Sequence, residues 1–161
     1  KEIVEAIRSR VTNNFIVGLR FSQWKQHDFD AKLAQTPDEL EKVIMPPVNA
    51  GLDYLHSSMR RFWESEFPDS KENLAYWTKK ISDITTIGVG SVGLDSDFID
   101  MMAPANPTSI DKAIEDISSN KYELIAVGRA LISDPNWVIK MKEGRFDELI
   151  PYTKESLLTL Y

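Results

Sequence analysis

The pattern of apolar and polar positions along the chain predicts four short strands separated by helices. Runs rich in β-branched and aromatic residues are typical of strands, and apolar residues at helical spacing fill the intervals between these runs. Strands that alternate with helices favour parallel βαβ units, and therefore an α/β fold. The predicted strands span residues 15–21, 53–57, 85–89 and 123–127.

Local signals mark where several predicted helices begin and end. Thr36, followed by Pro37 and then by Glu39, forms an N-terminal capping pattern. Gly144 is expected to end a later helix, because glycine readily adopts the left-handed conformation that follows a helix. Residues 1–8 read as the interior of an amphipathic helix without a capping residue, which predicts that chain is missing upstream. Further helices are predicted at 73–81, 109–117, 136–142 and 154–161.

The composition of the chain argues against several classes of function. The chain has 161 residues, 42% apolar and 27% charged, which predicts a single domain over residues 1–161. No apolar run approaches the ~20 residues needed to cross a bilayer, so we expect no membrane role. A net charge of −6 disfavours nucleic acid as a partner. Cysteine is absent, so disulfides and thiolate metal sites are excluded, and we expect no metal site. We expect a cytoplasmic location because no signal-like segment precedes the first helix.

In the first predicted strand, side chains alternate between two faces, and a positively charged residue lies on the face opposite the apolar ones. Arg20 has the opposite parity to the apolar set, which we expect to pack against helices. Arg20 then points into the interior of a barrel near the carboxyl end of its strand. A buried guanidinium there needs an anionic or strongly polar acceptor. The apolar set consists of Phe15, Val17, Leu19 and Phe21.

The third and fourth strands are expected to leave space beneath this arginine. By the same parity argument, Ile87 and Val89 face helices, while Gly88, Ala126 and Gly128 face inward. Barrel interiors are normally filled by bulky branched residues, so small inward residues predict room for a ligand. The alternative is that these glycines only relieve close packing, with the large interior residues supplied by other strands.

Two consecutive loops carry a pattern typical of phosphate sites. In (β/α)8 barrels, the loops after strands seven and eight often bind a phosphate. The third strand is followed by Gly90 and Ser91, which predict backbone N–H groups close to a phosphate. The fourth is followed by Gly128 and Arg129, and Arg129 can add a two-pronged charged contact. Each pattern alone is common, but their joint occurrence in this order indicates a phosphate site.

Four motifs together resemble the Old Yellow Enzyme family of NADH:flavin oxidoreductases. The motifs, in chain order, are Gly18-Leu19-Arg20-Phe21-Ser22-Gln23-Trp24-Lys25, then Arg60-Arg61-Phe62-Trp63, Gly88-Val89-Gly90-Ser91-Val92-Gly93, and Ala126-Val127-Gly128-Arg129-Ala130-Leu131 followed by Asp134-Pro135-Asn136-Trp137. The resemblance covers essentially the whole chain. It implies strands five to eight of a TIM (β/α)8 barrel, that is, a (β/α)4 C-terminal half.

This resemblance also implies the cofactors and the role of each candidate residue. The cofactor would be flavin mononucleotide (FMN), with NAD(P)H as reductant and an electron-poor alkene as acceptor. Arg20 would lie beside the pyrimidine edge of the flavin. Gly90 and Ser91 would offer backbone amides to the flavin phosphate, and Gly128 and Arg129 would complete that phosphate site.

The residues that act on the substrate in this family precede the arginine strand, and nothing in this chain corresponds to them. The family uses a His paired with His or Asn and a proton-donating Tyr, so we expect the fragment to be inactive alone. His56, on the second strand, is interpreted as structural, and His27 as a polar loop residue. Phe62 and Trp63 either approach the active-site mouth or only pack their loop.

Two other interpretations remain open, together with a prediction about assembly. A phosphosugar isomerase or aldolase barrel shares the phosphate loops but needs an acid-base Glu or Schiff-base Lys inside the barrel, and neither is found. A half-barrel that binds phosphate or nothing is the non-enzymatic alternative. In each case four strands leave two open sheet edges, which predict self-association.

Overall fold

Helices and strands alternate along the chain in the computed structural model, which describes residues 1–97 and 103–158. The strands are β1 (Gly18–Ser22), β2 (Tyr54–Ser58), β3 (Thr85–Val89) and β4 (Leu124–Ala126). The helices are α1 (Glu2–Arg8), α2 (Pro37–Asn49), α3 (Leu74–Ser82), α4 (Asp111–Ser118), α5 (Arg129–Ser133) and α6 (Trp137–Glu143), with 3₁₀ helices at Phe146–Glu148 and Lys154–Leu158. No helix in the described ranges is long and apolar enough to cross a membrane.

The four strands form one parallel sheet in the order β1-β2-β3-β4, which confirms the predicted α/β half-barrel. Neighbours in the chain are neighbours in the sheet, as in a (β/α)8 barrel. The register aligns Arg20 with His56 and His56 with Ile87. The sheet does not close, so β1 and β4 are its two edges within the described part of the chain.

Capping residues position the helices that flank this sheet. Thr36 caps α2 by accepting a hydrogen bond from the Glu39 N–H at 3.2 Å. Asn73 caps α3 in the same way, through the Tyr76 N–H at 3.0 Å. Gly144 ends α6 in the left-handed conformation, with φ of 73°. The start of α2 and the end of α6 are thus confirmed, whereas Asn73, predicted as the first residue of its helix, is the cap that precedes α3.

The predicted tail helix is only partly confirmed, and one α-helix was missed. Residues 154–158 form a 3₁₀ helix rather than an α-helix, and the rest of the predicted helix, 159–161, lies outside the described residues. The missed helix is α5, which begins at Arg129 directly after β4. Five residues are too few for a periodic pattern of apolar positions, so sequence periodicity gives no signal for α5.

One face of the sheet carries the hydrophobic core. Leu55 of β2 is fully buried between the sheet and its helices. The β1 residues Leu19 and Phe21 pack against the same core, as predicted, whereas Phe15 lies before the strand and is exposed. Ser57 Oγ also faces this side, 2.9 Å from Thr78 Oγ1 of α3. Other buried members of this core are Leu40, Ile44, Leu74, Ala75 and Ala113.

The predicted facing of β3 is wrong. A Cβ on Gly88 would lie 3.2 Å from the Ala75 side chain of α3, so Gly88 faces the helices. Ile87 therefore lies on the opposite face, in register with His56 and Leu124. Glycine in β3 allows close approach of α3 rather than making room for a ligand. The error arose because the apolar residues of β3, Ile87 and Val89, lie half-buried on the open face, whereas the buried side carries the small residues Thr86 and Gly88.

Candidate functional site

A cavity of about 260 Å³ lies at the carboxyl-terminal ends of the strands, and we call it the strand-end cavity. All five candidate site residues predicted from the sequence line this cavity. The fold therefore brings together residues that lie more than a hundred positions apart in the chain. Those residues are Arg20, Gly90, Ser91, Gly128 and Arg129. The volume is below the ~300–1,000 Å³ of typical ligand pockets, as expected of a sheet that does not close around its interior.

Arg20 enters this cavity from β1, on the face opposite the core. Its Nη2 donates a hydrogen bond to Ser58 Oγ at 3.0 Å, which holds the guanidinium over the end of β2. The expectation of a buried guanidinium is wrong, because Arg20 is exposed along the open side of the sheet. Exposure removes the desolvation penalty and leaves the cation accessible to an anionic ligand.

The loop after β3 turns sharply beside the cavity. Ser91 adopts a left-handed conformation with φ of 51°, which is uncommon for a residue with a side chain. Its hydroxyl donates to the Arg60 carbonyl oxygen at 3.0 Å, which holds this turn in place. Gly90 is required there, because a Cβ would lie 2.8 Å from the Met59 carbonyl oxygen. The backbone of this loop is therefore held close to the cavity.

Arg129 reaches the cavity from the start of α5. Its Nη2 donates to the Ser96 carbonyl oxygen and to Ser91 Oγ, the latter at 3.5 Å. Its guanidinium carbon lies 5.3 Å from the centre of the Tyr152 ring. Nη1 is buried and has no hydrogen-bond partner among the described residues. Burial lowers the pKa of this guanidinium, which nevertheless stays protonated at neutral pH.

An unpartnered buried guanidinium nitrogen is the strongest chemical signal at the site. A buried donor without an acceptor is costly, and arginine binds phosphate and carboxylate oxygens in a two-pronged way. Gly128 adds open space beside Arg129, since no atom of the described residues lies within 4 Å of the position that a Cβ would occupy. The residues present therefore fit a phosphate at the β3–β4 end of the cavity.

Sequence reasoning missed several residues that shape the cavity. Trp24 lines the cavity, and its Nε1 donates to the Ser58 carbonyl oxygen at 3.2 Å. Ser58 receives both this bond and the Arg20 bond, so it joins the two side chains. Parity would have found Ser58, which shares its strand face with His56. The other lining residues are Gln26, Met59, Val89, Val92 and Leu94.

A second cavity, of about 140 Å³, adjoins the first under the loops that follow β1 and β2. We call it the loop cavity. Trp24, Ser58 and Met59 line both cavities, so the two spaces meet along that wall. The loop cavity is lined by charged residues, among them Arg60 and Arg61.

Neither histidine lines either cavity. His56 lies on the open face of β2 next to Arg20, and its Nε2 is buried without a partner among the described residues. Burial and the positive charge of Arg20 lower the His56 pKa, so the imidazole is neutral at pH 7. His27 is exposed in the loop after β1. Phe62 is buried and Trp63 packs edge-on against it, with ring centres 5.3 Å apart, so this pair anchors its loop.

The chain is similar to known flavin enzymes over nearly its whole length. Residues 1–148 match the sequence model of the NADH:flavin oxidoreductase / NADH oxidase family. An NADH oxidase of Thermoanaerobacter brockii is 29% identical over 156 residues, 92% of this chain and 21% of that protein. A probable NADH-dependent flavin oxidoreductase of Bacillus subtilis is 26% identical over 144 residues, 89% of this chain and 34% of that protein. The chain thus spans about a fifth to a third of these relatives.

Solved structures show the same fold. Morphinone reductase in complex with tetrahydroNAD aligns with 89% of this chain and 32% of its own, at a TM-score of 0.58 and 17% identity. Histamine dehydrogenase from Rhizobium sp. 4-9 aligns with 92% of this chain and 20% of its own, at a TM-score of 0.59 and 18% identity. Both alignments match the four-stranded sheet to part of a barrel.

Proposed function

Because the chain belongs to the NADH:flavin oxidoreductase / NADH oxidase family, we propose that residues 1–161 form the C-terminal half-barrel, strands five to eight, of an FMN-dependent oxidoreductase. Membership of this family implies FMN and NAD(P)H as cofactors. When bound, FMN accepts a hydride from the nicotinamide and passes it to the second substrate. The proposed role of this chain is to hold the flavin.

The observation that supports this role is the meeting of five sequence-selected residues at one cavity. Arg129 supplies a buried donor without a partner among the described residues, and Gly90 and Ser91 supply a constrained backbone beside it. These three residues would bind the phosphate. A phosphosugar isomerase or aldolase would use the same loops, but the family match favours flavin.

Arg20 would bind at the other end of the flavin. Its guanidinium is exposed on the open sheet face and fixed by Ser58, so it can approach the polar pyrimidine edge of the ring. A positive charge at that edge stabilises negative charge on the reduced ring. The spacing of the two arginines across the sheet, from β1 to the end of β4, would set the direction in which the flavin lies.

The acceptor and the proton donor would be held by other parts of the enzyme. We propose an electron-poor alkene as the acceptor, the chemistry that the Old Yellow Enzyme resemblance implies. The two histidines of this chain line neither cavity, and none of the described residues that line the strand-end cavity is an obvious proton donor. The chain alone is therefore expected to bind flavin without turnover.

Titration of FMN into the 161-residue chain tests the proposal. Arg129→Ala should weaken binding about tenfold or more, because a hydrogen bond to a charged group contributes about 1.5–3 kcal/mol. Arg145→Ala is the matched control, since Arg145 pairs with Glu143 and Glu148 on the surface away from the cavity. Equal affinities for wild type and Arg129→Ala would reject the phosphate assignment.

We also propose that the open sheet pairs with further chain, either a second copy or the rest of a longer protein. The edges β1 and β4 carry unpaired backbone groups, and Leu124 on the open face of β4 is 52% exposed. Sedimentation velocity over a range of concentrations should show self-association of this chain. A single monomeric species that keeps its melting transition at all concentrations would contradict the prediction.

A further inference from the structure

Residues 149–153, which we call the return segment, fold back onto the start of α5 beside the proposed phosphate site. The segment begins next to Asp134, a buried carboxylate whose Oδ2 accepts from the Ile150 N–H at 3.3 Å and from Lys140 Nζ at 2.8 Å. A buried carboxylate requires such donors, so Asp134 fixes where the segment begins. The return segment follows residues 1–148, the part of the chain that matches the family model.

Tyr152 anchors the return segment to the loop that follows β3. Its N–H donates to the Ala105 carbonyl oxygen at 2.8 Å, and its carbonyl oxygen accepts from the Ala105 N–H at 2.9 Å. The same loop carries Ser91 near its start and doubles back where Leu94 pairs with Pro107 in an antiparallel bridge. Tyr152 is 0% exposed, so its ring has little freedom to move.

The buried ring of Tyr152 lies against the arginine of the phosphate site. The Arg129 guanidinium carbon is 5.3 Å from the ring centre, within the distance at which an aromatic face attracts a cation. Arg129 Nη2 is held at the same time by the Ser96 carbonyl oxygen. Tyr152 is not among the residues that line the strand-end cavity, so its effect on a ligand there must pass through Arg129.

Two carboxylates also act on Arg129, but both are bonded to other donors. Burial lowers the pKa of Arg129, whereas the charges of Asp97 and Asp95 raise it. Asp95 accepts two hydrogen bonds from Asn106, at 2.8 and 2.9 Å, and Asp97 is shared by two other arginines. The contacts that hold the Arg129 guanidinium within the described residues are thus the Tyr152 ring and neutral oxygens, none of which neutralises its charge.

We propose that Tyr152 is a positioning residue for the flavin phosphate, because its buried ring holds the Arg129 guanidinium in place before the ligand arrives. This inference rests on the proposed function, since it takes Arg129 as a phosphate ligand. A flexible side chain that must become ordered on binding lowers affinity about twofold to tenfold. A guanidinium that is already ordered avoids this loss.

Dissociation constants of FMN and riboflavin for three tyrosine variants test this inference. Tyr152→Met leaves a flexible apolar side chain without an aromatic face, and it should weaken FMN binding about threefold to tenfold. Binding of riboflavin, which lacks the phosphate, should change less than about twofold, because the loss passes through Arg129. Tyr152→Phe keeps the ring and should retain the wild-type preference for FMN.

Tyr122→Met is the matched control. Tyr122 is 1% exposed, its hydroxyl lies 3.4 Å from Asp116 Oδ2, and it lines neither cavity. This substitution should therefore destabilise the fold without changing the ratio of the FMN and riboflavin constants.

Three outcomes would overturn the inference. They are an unchanged preference for FMN in Tyr152→Met, an equal loss of preference in Tyr122→Met, and a loss in Tyr152→Phe as large as in Tyr152→Met. The last would assign the effect to the hydroxyl rather than to the ring. Failure of the proposed function is a different result, in which the wild-type chain itself binds FMN no more tightly than riboflavin.

A measurement on the wild-type chain covers the case in which Tyr152→Met does not fold. The side-chain methylene protons of Arg129, assigned by NMR with Arg129→Ala as reference, should be shifted upfield by the Tyr152 ring, both without and with bound FMN. Resonances at ordinary positions, or an upfield shift that disappears when FMN binds, would overturn the inference.

Discussion

The two faces of the same four strands differ in what they contribute. On the helix side, Leu55 is 0% exposed and packs in a continuous core, whereas on the open side Leu124 is 52% exposed on an edge strand. Arg20 and His56 share the open side. One face therefore stabilises the sheet and the other carries the charges that can bind a ligand. Alternation along each strand, over only three to five residues, places the side chains that stabilise the fold and those that can bind a ligand on opposite faces.

One substitution on each face of the sheet should give the largest expected difference, measured as the free energy of unfolding. Leu55→Ala removes a fully buried side chain and should lower the free energy of unfolding by about 2–5 kcal/mol. Leu124→Ala removes a half-exposed one and should cost less than about 1 kcal/mol. Urea denaturation at a single low protein concentration measures both. Similar losses would mean that the open face is covered in solution.

A second pair of substitutions tests the loops at the cavity. Gly90→Ala places a Cβ 2.8 Å from the Met59 carbonyl oxygen, which is backbone and cannot rotate away. We expect a loss of about 1–3 kcal/mol in unfolding free energy, the usual range for overpacking. The Cβ of Gly128→Ala meets no atom of residues 1–97 or 103–158 within 4 Å, so this substitution should leave stability almost unchanged. Thermal melts of the two variants check this order, and a destabilised Gly128→Ala would contradict it.

The smallest expected effect is the pH dependence of stability that arises from His56 on the open face. Burial and Arg20 lower the folded-state pKa of His56 below its ordinary value of 6.5. The unfolded chain then binds more protons as pH falls through 6.5 toward the folded pKa, so stability is full above pH 6.5 and declines below it. His56→Gln should reduce this decline between pH 7 and 5. His27→Gln, a change at an exposed loop residue, is the control, and equal slopes for all three proteins would refute the prediction.

Sequence patterns predicted the elements and the proximity of the candidate residues better than the facing of side chains. Thr36 and Gly144 located helix ends because capping depends on local chemistry. The candidate residues came together because the carboxyl ends of parallel strands share one edge of a sheet. Gly88 was placed on the wrong face, since its position depends on the close approach of α3, a tertiary contact with no local signal.

The exposure of Arg20 and the loop cavity were also beyond sequence reasoning. Parity placed Arg20 on the inner face, but its exposure depends on whether the sheet closes. The convergence of Arg60 and Arg61 on Asp97 joins residues more than thirty positions apart through loops without a regular pattern. Contacts of this kind are set by tertiary packing, which a single sequence does not encode locally.

The central claim is that Arg129 and its neighbouring loops bind the phosphate of FMN. The most direct test compares the dissociation constants of FMN and riboflavin, which lacks the phosphate, for wild type and Arg129→Ala. FMN should bind wild type about tenfold or more tightly than riboflavin, and most of this preference should vanish in the variant. Equal affinity of the wild-type chain for FMN and riboflavin would contradict the account.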